Sequence, residues 1–172
     1  MQTGQDLYHV RHLGALDLVV LDGRFYRATA ALSGGDPDAM LGATQWAWFE
    51  AALRASTAPY LVVASATTFH AFGDQSWEQY PAAFQRMRTL LSSRAGALIV
   101  SGDAHRNAVY DESGVIEVVT SGVAQCSRAF ACVRQNYAVL DFGDEALSVD
   151  LRSLKVGSRC RFAVPLAQWW LP

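Results

Sequence analysis

A carboxylate and an imidazole two residues apart, Asp103 and His105, stand where an apolar run breaks at Ser101-Gly102. Both side chains are metal ligands, and in extended chain positions i and i+2 share a face, so the pair can address one cation. Arg24, in Asp22-Gly-Arg24-Phe-Tyr26-Arg27, carries a guanidinium that matches phosphate oxygens bidentately. His70, in the loop Phe69–Trp77, is a further imidazole that could reach a metal. Each has a plainer reading beside it. Gly-Asp after a strand is an ordinary turn, a lone loop histidine is commonly only hydrogen-bonded, and Asp22–Arg27 taken alone reads more simply as a solvated turn with a charged rim. On these residues alone the alternatives stay open.

The elements that must position them are legible from pattern. Ala97 to Val100 predicts a short strand buried on both faces, which delivers Asp103 and His105 at its end. Leu16 to Leu21 predicts another, β-branched in the middle and stopped near Gly23, which delivers Arg24. Trp46, Phe49 and Leu53 recur at helical spacing within a helix from about Thr44 to Ala55, with Arg54 outside. Tyr60–Ser65 reads as a buried strand. Ser76 and Gln79 have capping-box spacing and Pro81 suits a first turn, so a second helix is expected to run to about Ser93. Its inner face is Phe84, Met87 and Leu91, with Arg86, Arg88 and Arg94 outside. Strand alternating with helix up to Val100 is the rhythm of a parallel sheet. Beyond His105 the segments Val115–Thr120, Asn136–Phe142 and Ala146–Leu151 predict strands with short turns, Gly143-Asp144 among them, so antiparallel pairing is expected to finish the fold.

Composition bounds the rest. At 172 residues the chain has room for one domain with a real core. Hydrophobic residues reach 51% and charged ones only 17%, yet no apolar run has the ~18 residues of a membrane span. The apolar surplus is therefore core, or surface meant for other protein. A formal charge of −2 supplies no basic field for nucleic acid. Cys126, Cys132 and Cys160 follow no zinc spacing and allow at most one disulfide. The first residues contain no secretory signal pattern, which leaves the compartment unassigned.

Five pieces taken in order resemble the C-terminal half of PhoD-like alkaline phosphatases, of the calcineurin-like metallophosphoesterase superfamily. Leu21-Asp22-Gly-Arg24-Phe-Tyr26-Arg27 resembles the family's Leu-Asp-Thr-Arg-x-Tyr-Arg. Met40-Leu-Gly-Ala-Thr-Gln45-Trp46-Ala-Trp48 is similar to its Met-Leu-Gly-x-x-Gln-x-x-Trp. Asp74-Gln-Ser76-Trp77-Glu-Gln-Tyr80 resembles its Asp-x-Trp-x-x-Tyr. Ser101-Gly102-Asp103-Ala-His105 matches its Ser-Gly-Asp-x-His, and Asn136-Tyr137 its terminal Asn-Tyr/Phe. Gly23 stands where the family usually has Thr, and Phe49 where it has Leu.

The resemblance implies a layered α/β sandwich of the metallophosphoesterase type, with parallel strand–helix units followed by antiparallel strands. Residues 1–172 would be one partial domain, the C-terminal portion of the family's domain. It also implies a phosphoric ester hydrolase, acting on monoesters or diesters through two metal ions, typically calcium and iron, with zinc or manganese as further options. Asp103 and His105 would be the last of the metal ligands, and Arg24 would help bind the phosphate. The superfamily's early Asp-containing motif, its Gly-Asp-x-x-Asp and its Gly-Asn-His are absent from the sequence. The chain is thus expected to be catalytically silent alone, to self-associate or to be complemented by the missing half. The competing readings are a non-catalytic, partner-binding remnant of the same fold and, ranked last, a mononuclear hydrolase using Asp103, His105 and His70.

Overall fold

The computed structural model describes residues 7–29, 35–70, 76–112, 114–121, 136–143, 146–153 and 159–165. Asp74, Cys126, Cys132 and Asp144 lie outside them, as do the side chain of Cys160 and the start of the loop at Ser33-Gly34.

Two strands open the described chain, β1 (His9–Leu13) and β2 (Leu16–Val20), joined by a tight turn at Gly14, whose φ of 66° suits glycine. They are followed by α1 (Gly42–Ala55), β3 (Tyr60–Ser65), a single 3-10 turn (Trp77–Gln79), α2 (Pro81–Ser92) and β4 (Ala97–Ser101). Five more strands complete the order: β5 (Ala108–Glu112), β6 (Val115–Val119), β7 (Asn136–Phe142), β8 (Ala146–Ser153) and β9 (Arg159–Pro165).

The first six strands form one sheet in the order β1-β2-β3-β4-β6-β5. β2, β3, β4 and β6 are parallel, and β1 and β5 close the two edges antiparallel. A second sheet, β7-β8-β9, is wholly antiparallel. β6 departs from the antiparallel run expected after His105. It is antiparallel to β5, but the chain passes outward through β5 and returns, so β6 enters the sheet parallel to β4. The apolar, β-branched Val115-Ile-Glu-Val-Val119 suits an interior position covered on both faces.

Alternation explains why the central strands read as continuous apolar runs. Leu61, Val63, Ala97, Ile99 and Val115 face Trp46, Phe49, Met87 and Leu91 of the helices. The intervening Val62, Leu98, Ile116 and Val118 face Leu147, Val149, Leu151 and Val164 of the second sheet. The layers are helices, mixed sheet and antiparallel sheet. Each large side chain taken fully out of water contributes roughly 1.5–3 kcal/mol before entropy is counted, so the aromatic stripe of α1 is a principal clamp on the sheet.

Two expectations fail locally. Ser76 makes no cap hydrogen bond, and its buried hydroxyl has no partner among the described residues, because Trp77–Gln79 winds as a 3-10 turn and α2 starts only at Pro81. Arg86 does not face solvent: it lies over the Trp46 ring, 4.4 Å from its centroid, and pairs with Glu50 and Asp38, tying α2 to α1 and to the loop before it.

Candidate functional site

Parallel strands deliver the loops at their C-terminal ends to one edge of the sheet, where such folds gather polar groups. β2 ends into Asp22–Arg27, β4 into Gly102–Asn107, and β6 into Thr120-Ser121. The three loops meet. Arg24 Nη2 donates to Asp103 Oδ2 at 2.9 Å across 79 residues of sequence, with both side chains half-exposed.

The Arg24 loop is held from several directions. Asp22 Oδ1 accepts the backbone N–H groups of Arg24 (2.9 Å) and Phe25 (3.0 Å), an Asx turn. Behind it Gln45, buried in α1, accepts the N–H of Asp22 at 2.9 Å and donates to the carbonyls of Asp22 and Leu41. Gly42 has a φ of 72°, and a Cβ there would sit 3.4 Å from Tyr26 Cβ, so the Met-Leu-Gly turn brings its backbone against that ring. Tyr80 Oη donates to the Ala28 carbonyl at 2.8 Å.

The β4 loop is tighter still. Asp103 and His105 both take left-handed backbone conformations, with φ of 68° and 52°. Non-glycine residues seldom adopt these, and they persist where surrounding contacts over-determine them. Here the N–H of His105 donates to Ser121 Oγ at 2.9 Å, and the N–H of Ser121 donates to Asn136 Oδ1 at 3.2 Å. Asn136 opens the second sheet, so that sheet braces the loop from behind.

Under this edge lies a carboxylate that sequence reasoning passed over. Glu117, in the middle of β6, has no solvent exposure and faces the helices with Val115. It accepts from the N–H of Phe69 (2.7 Å), the N–H of His70 (2.9 Å), His70 Nδ1 (3.0 Å) and Ser101 Oγ. One side chain thereby fixes the end of β4 to the loop after β3. The signal for it was a single charge at a core-facing position of an apolar strand. Its partner His70 is 3% exposed, stacked near Tyr110 and edge-on to Phe84. It is a core group packed against Phe84 of α2.

The pieces brought together here, from Leu21 to Tyr137, are those whose order matched one family, and the family described as PhoD-like phosphatase matches residues 1–139. The chain belongs to the PhoD-like phosphatase family. Among solved structures, that of PhoD matches with a TM-score of 0.69 and 18% identity, over 91% of this chain and 40% of that chain. The structure of GAP50, the anchor in the inner membrane complex of Plasmodium, matches with a TM-score of 0.56 and 10% identity, over 92% of this chain and 53% of that one. These likenesses concern the fold. No curated protein matches the chain. The chain spans two fifths of the PhoD structure's length.

Within this PhoD-like chain the matching motifs act largely on one another. Gln45 and Gly42 of the second motif and Tyr80 of the third all contact the Asp22–Ala28 segment that presents Arg24. Gly23 has room for a Cβ, which would meet only Met40 Cε, at 3.9 Å. A metal centre is a different matter. Among the described residues no group of three or more His, Cys, Asp or Glu side chains is placed to hold a metal ion. Asp103 also already has a cation, Arg24, on one oxygen. The described residues do not by themselves fit the two-metal group that the family implies. No helix among them is long and apolar enough to cross a membrane.

Proposed function

We propose that this chain carries the C-terminal part of a metal-dependent phosphoric ester hydrolase, with Asp103 and His105 as metal ligands and Arg24 as a phosphate-binding group. The observation that carries the reading is the Arg24–Asp103 contact, which joins the ends of β2 and β4 at one point. Such an exposed pair is worth no more than about 1 kcal/mol, so a phosphate dianion competes readily for the guanidinium. Arg24 would then exchange a carboxylate for phosphate oxygens, and Asp103 would be one of the groups that hold a metal ion. Bound metal ions, calcium with iron or else zinc or manganese, would supply hydroxide activation and charge neutralisation. The reading requires ligands beyond Asp103 and His105, and residues 1–172 alone are therefore expected to turn over no ester. It also holds that the isolated chain self-associates or accepts a complementing segment.

The test is to purify residues 1–172, add calcium with iron, manganese or zinc, and assay a phosphate monoester and a diester. No turnover above the metal-only control is expected. Metal-dependent turnover abolished by Asp103→Ala or His105→Ala would show that the chain holds a complete site. The runner-up is a partner-binding protein of the same fold without catalysis. In its favour stands the likeness to GAP50, itself described as an anchor.

A further inference from the structure

At the opposite end of the sheet, a cavity of about 140 Å3 opens between the β1–β2 hairpin and α1. Its walls are Val19, Ala52, Ala55 and Leu61, and its polar end is Asp17, His12 and Ser56. An apolar cavity of about 150 Å3 accepts a benzene-sized guest, so this one has room for a single small ring. Asp17 is 4% exposed, yet its carboxylate lines the cavity. Oδ1 accepts from His12 Nδ1 at 2.7 Å, directly across the β1–β2 ladder, and Oδ2 accepts from Ser56 Oγ at 2.6 Å. A carboxylate has about four acceptor sites, and the hydrogen bonds from His12 and Ser56 occupy two of them. His12 is 78% exposed, so it can swing out without disturbing the walls.

We propose that this cavity is a binding site for a small organic ammonium, whose apolar body fills the space and whose N–H groups bond to Asp17. Electrostatics favours a cation over a neutral or anionic guest. Burial alone would raise the Asp17 pKa, but the hydrogen bonds from Ser56 and His12 and the charges of His12 and Arg94 outweigh it and hold the group below the usual carboxylate range. Asp17 is therefore an anion at neutral pH, set in aliphatic walls where an ammonium pairs with it at reduced screening. The site is separate from the Arg24–Asp103 edge. β2 puts about 10 Å of strand between Asp17 and Val20, at ~3.3 Å per residue, before the chain reaches the Asp22–Arg27 loop.

The experiment is an NMR titration of residues 1–172 with benzylammonium, with benzyl alcohol and benzoate as matched neutral and anionic probes. Saturable shifts at Val19, Ala52 and Leu61 are expected for benzylammonium, with at least tenfold weaker binding of the other two. His12→Ala should tighten binding by removing the competing donor. Asp17→Asn should abolish it. Because Asp17→Asn can also loosen the fold, Ala52→Leu serves as a second variant that fills the cavity from a partly exposed helix position, and it should abolish binding with the spectrum otherwise intact. Benzylammonium without effect, benzyl alcohol bound as tightly, or binding unchanged in Ala52→Leu would each overturn the proposal. Phosphoesterase assays bear on none of these outcomes.

Discussion

The parallel sheet buries two carboxylates against the helix layer, Glu117 in the middle of β6 and Asp17 near the start of β2, and the two serve different ends. In the middle of β6, Glu117 accepts from two backbone N–H groups, an imidazole and a hydroxyl, drawn from two segments of chain, the loop after β3 and the end of β4. At the N-terminal end Asp17 accepts, among the described residues, from two side chains, and one of them, His12, is mostly exposed. Glu117 thus freezes loops that carry exposed polar groups, whereas Asp17 closes one hairpin onto the end of one helix and lines a cavity. The comparison teaches where a fold of this kind spends buried charge. Backbone donors are satisfied under the edge that must hold a geometry, and exchangeable side-chain donors are used at the end that need not.

The comparison predicts a ranking of losses. Glu117→Ala leaves four buried donors without an acceptor, each costing about 1–3 kcal/mol where water cannot reach. We expect a loss of at least about 3 kcal/mol in urea unfolding, with amide exchange accelerated first at Phe69, His70 and the 101–105 loop. A loss below about 1 kcal/mol would mean that Glu117 is not the anchor described. Gln45→Ala should cost about 1–2 kcal/mol, since it removes three hydrogen bonds to backbone, and should loosen Asp22–Phe25 while leaving Ser121 and His105 protected.

Asp17 gives a pH signature in place of a large loss. Its folded pKa lies below its ordinary value of 3.8. Its contribution is therefore fully present above that value and is lost as pH falls through the folded pKa. Wild type should lose stability faster than Asp17→Asn on acidification below about pH 4. Parallel acid-unfolding curves for the two would contradict the assignment. The smallest effect is Gly23→Ala. With room for a Cβ and no left-handed φ, it should be neutral or stabilise by about 0.4–1 kcal/mol through the unfolded chain, as read from the thermal midpoint.

Much of the scaffold was legible in the sequence because the signals were local. The runs Leu16–Leu21, Tyr60–Ser65 and Ala97–Val100 match β2, β3 and β4 closely, and Trp46 and Phe49 mark the buried stripe of α1. β1, with His-Val-Arg-His-Leu, carries polar residues at an exposed edge and has no apolar run to betray it. β5, with Ala-Val-Tyr-Asp-Glu, is similar at the other edge. The parallel entry of β6 depends on a detour through β5, which no local pattern encodes. At the candidate site, residue type singled out Asp103, His105 and Arg24, but the extended-chain geometry expected for Asp103 and His105 gives way to two left-handed residues. Glu117, Ser121 and the left-handed turns were not legible, because their roles arise only from pairing across the sheet. Arg86 was misplaced because an arginine at an outer helical position reads the same whether it meets water or a neighbouring helix.

The central claim is that the loop after β4 presents Asp103 and His105 to a cation beside the guanidinium of Arg24. The most direct measurement is a titration of residues 1–172 with Mn2+, followed by paramagnetic broadening of amide and imidazole signals. Broadening should begin at Asp103, Ala104 and His105, disappear in Asp103→Ala, and need about two- to fivefold less Mn2+ in Arg24→Ala, where the competing charge is gone. Broadening that starts elsewhere on the chain and leaves Asp103 and His105 sharp, or that is indifferent to Asp103→Ala, would contradict it.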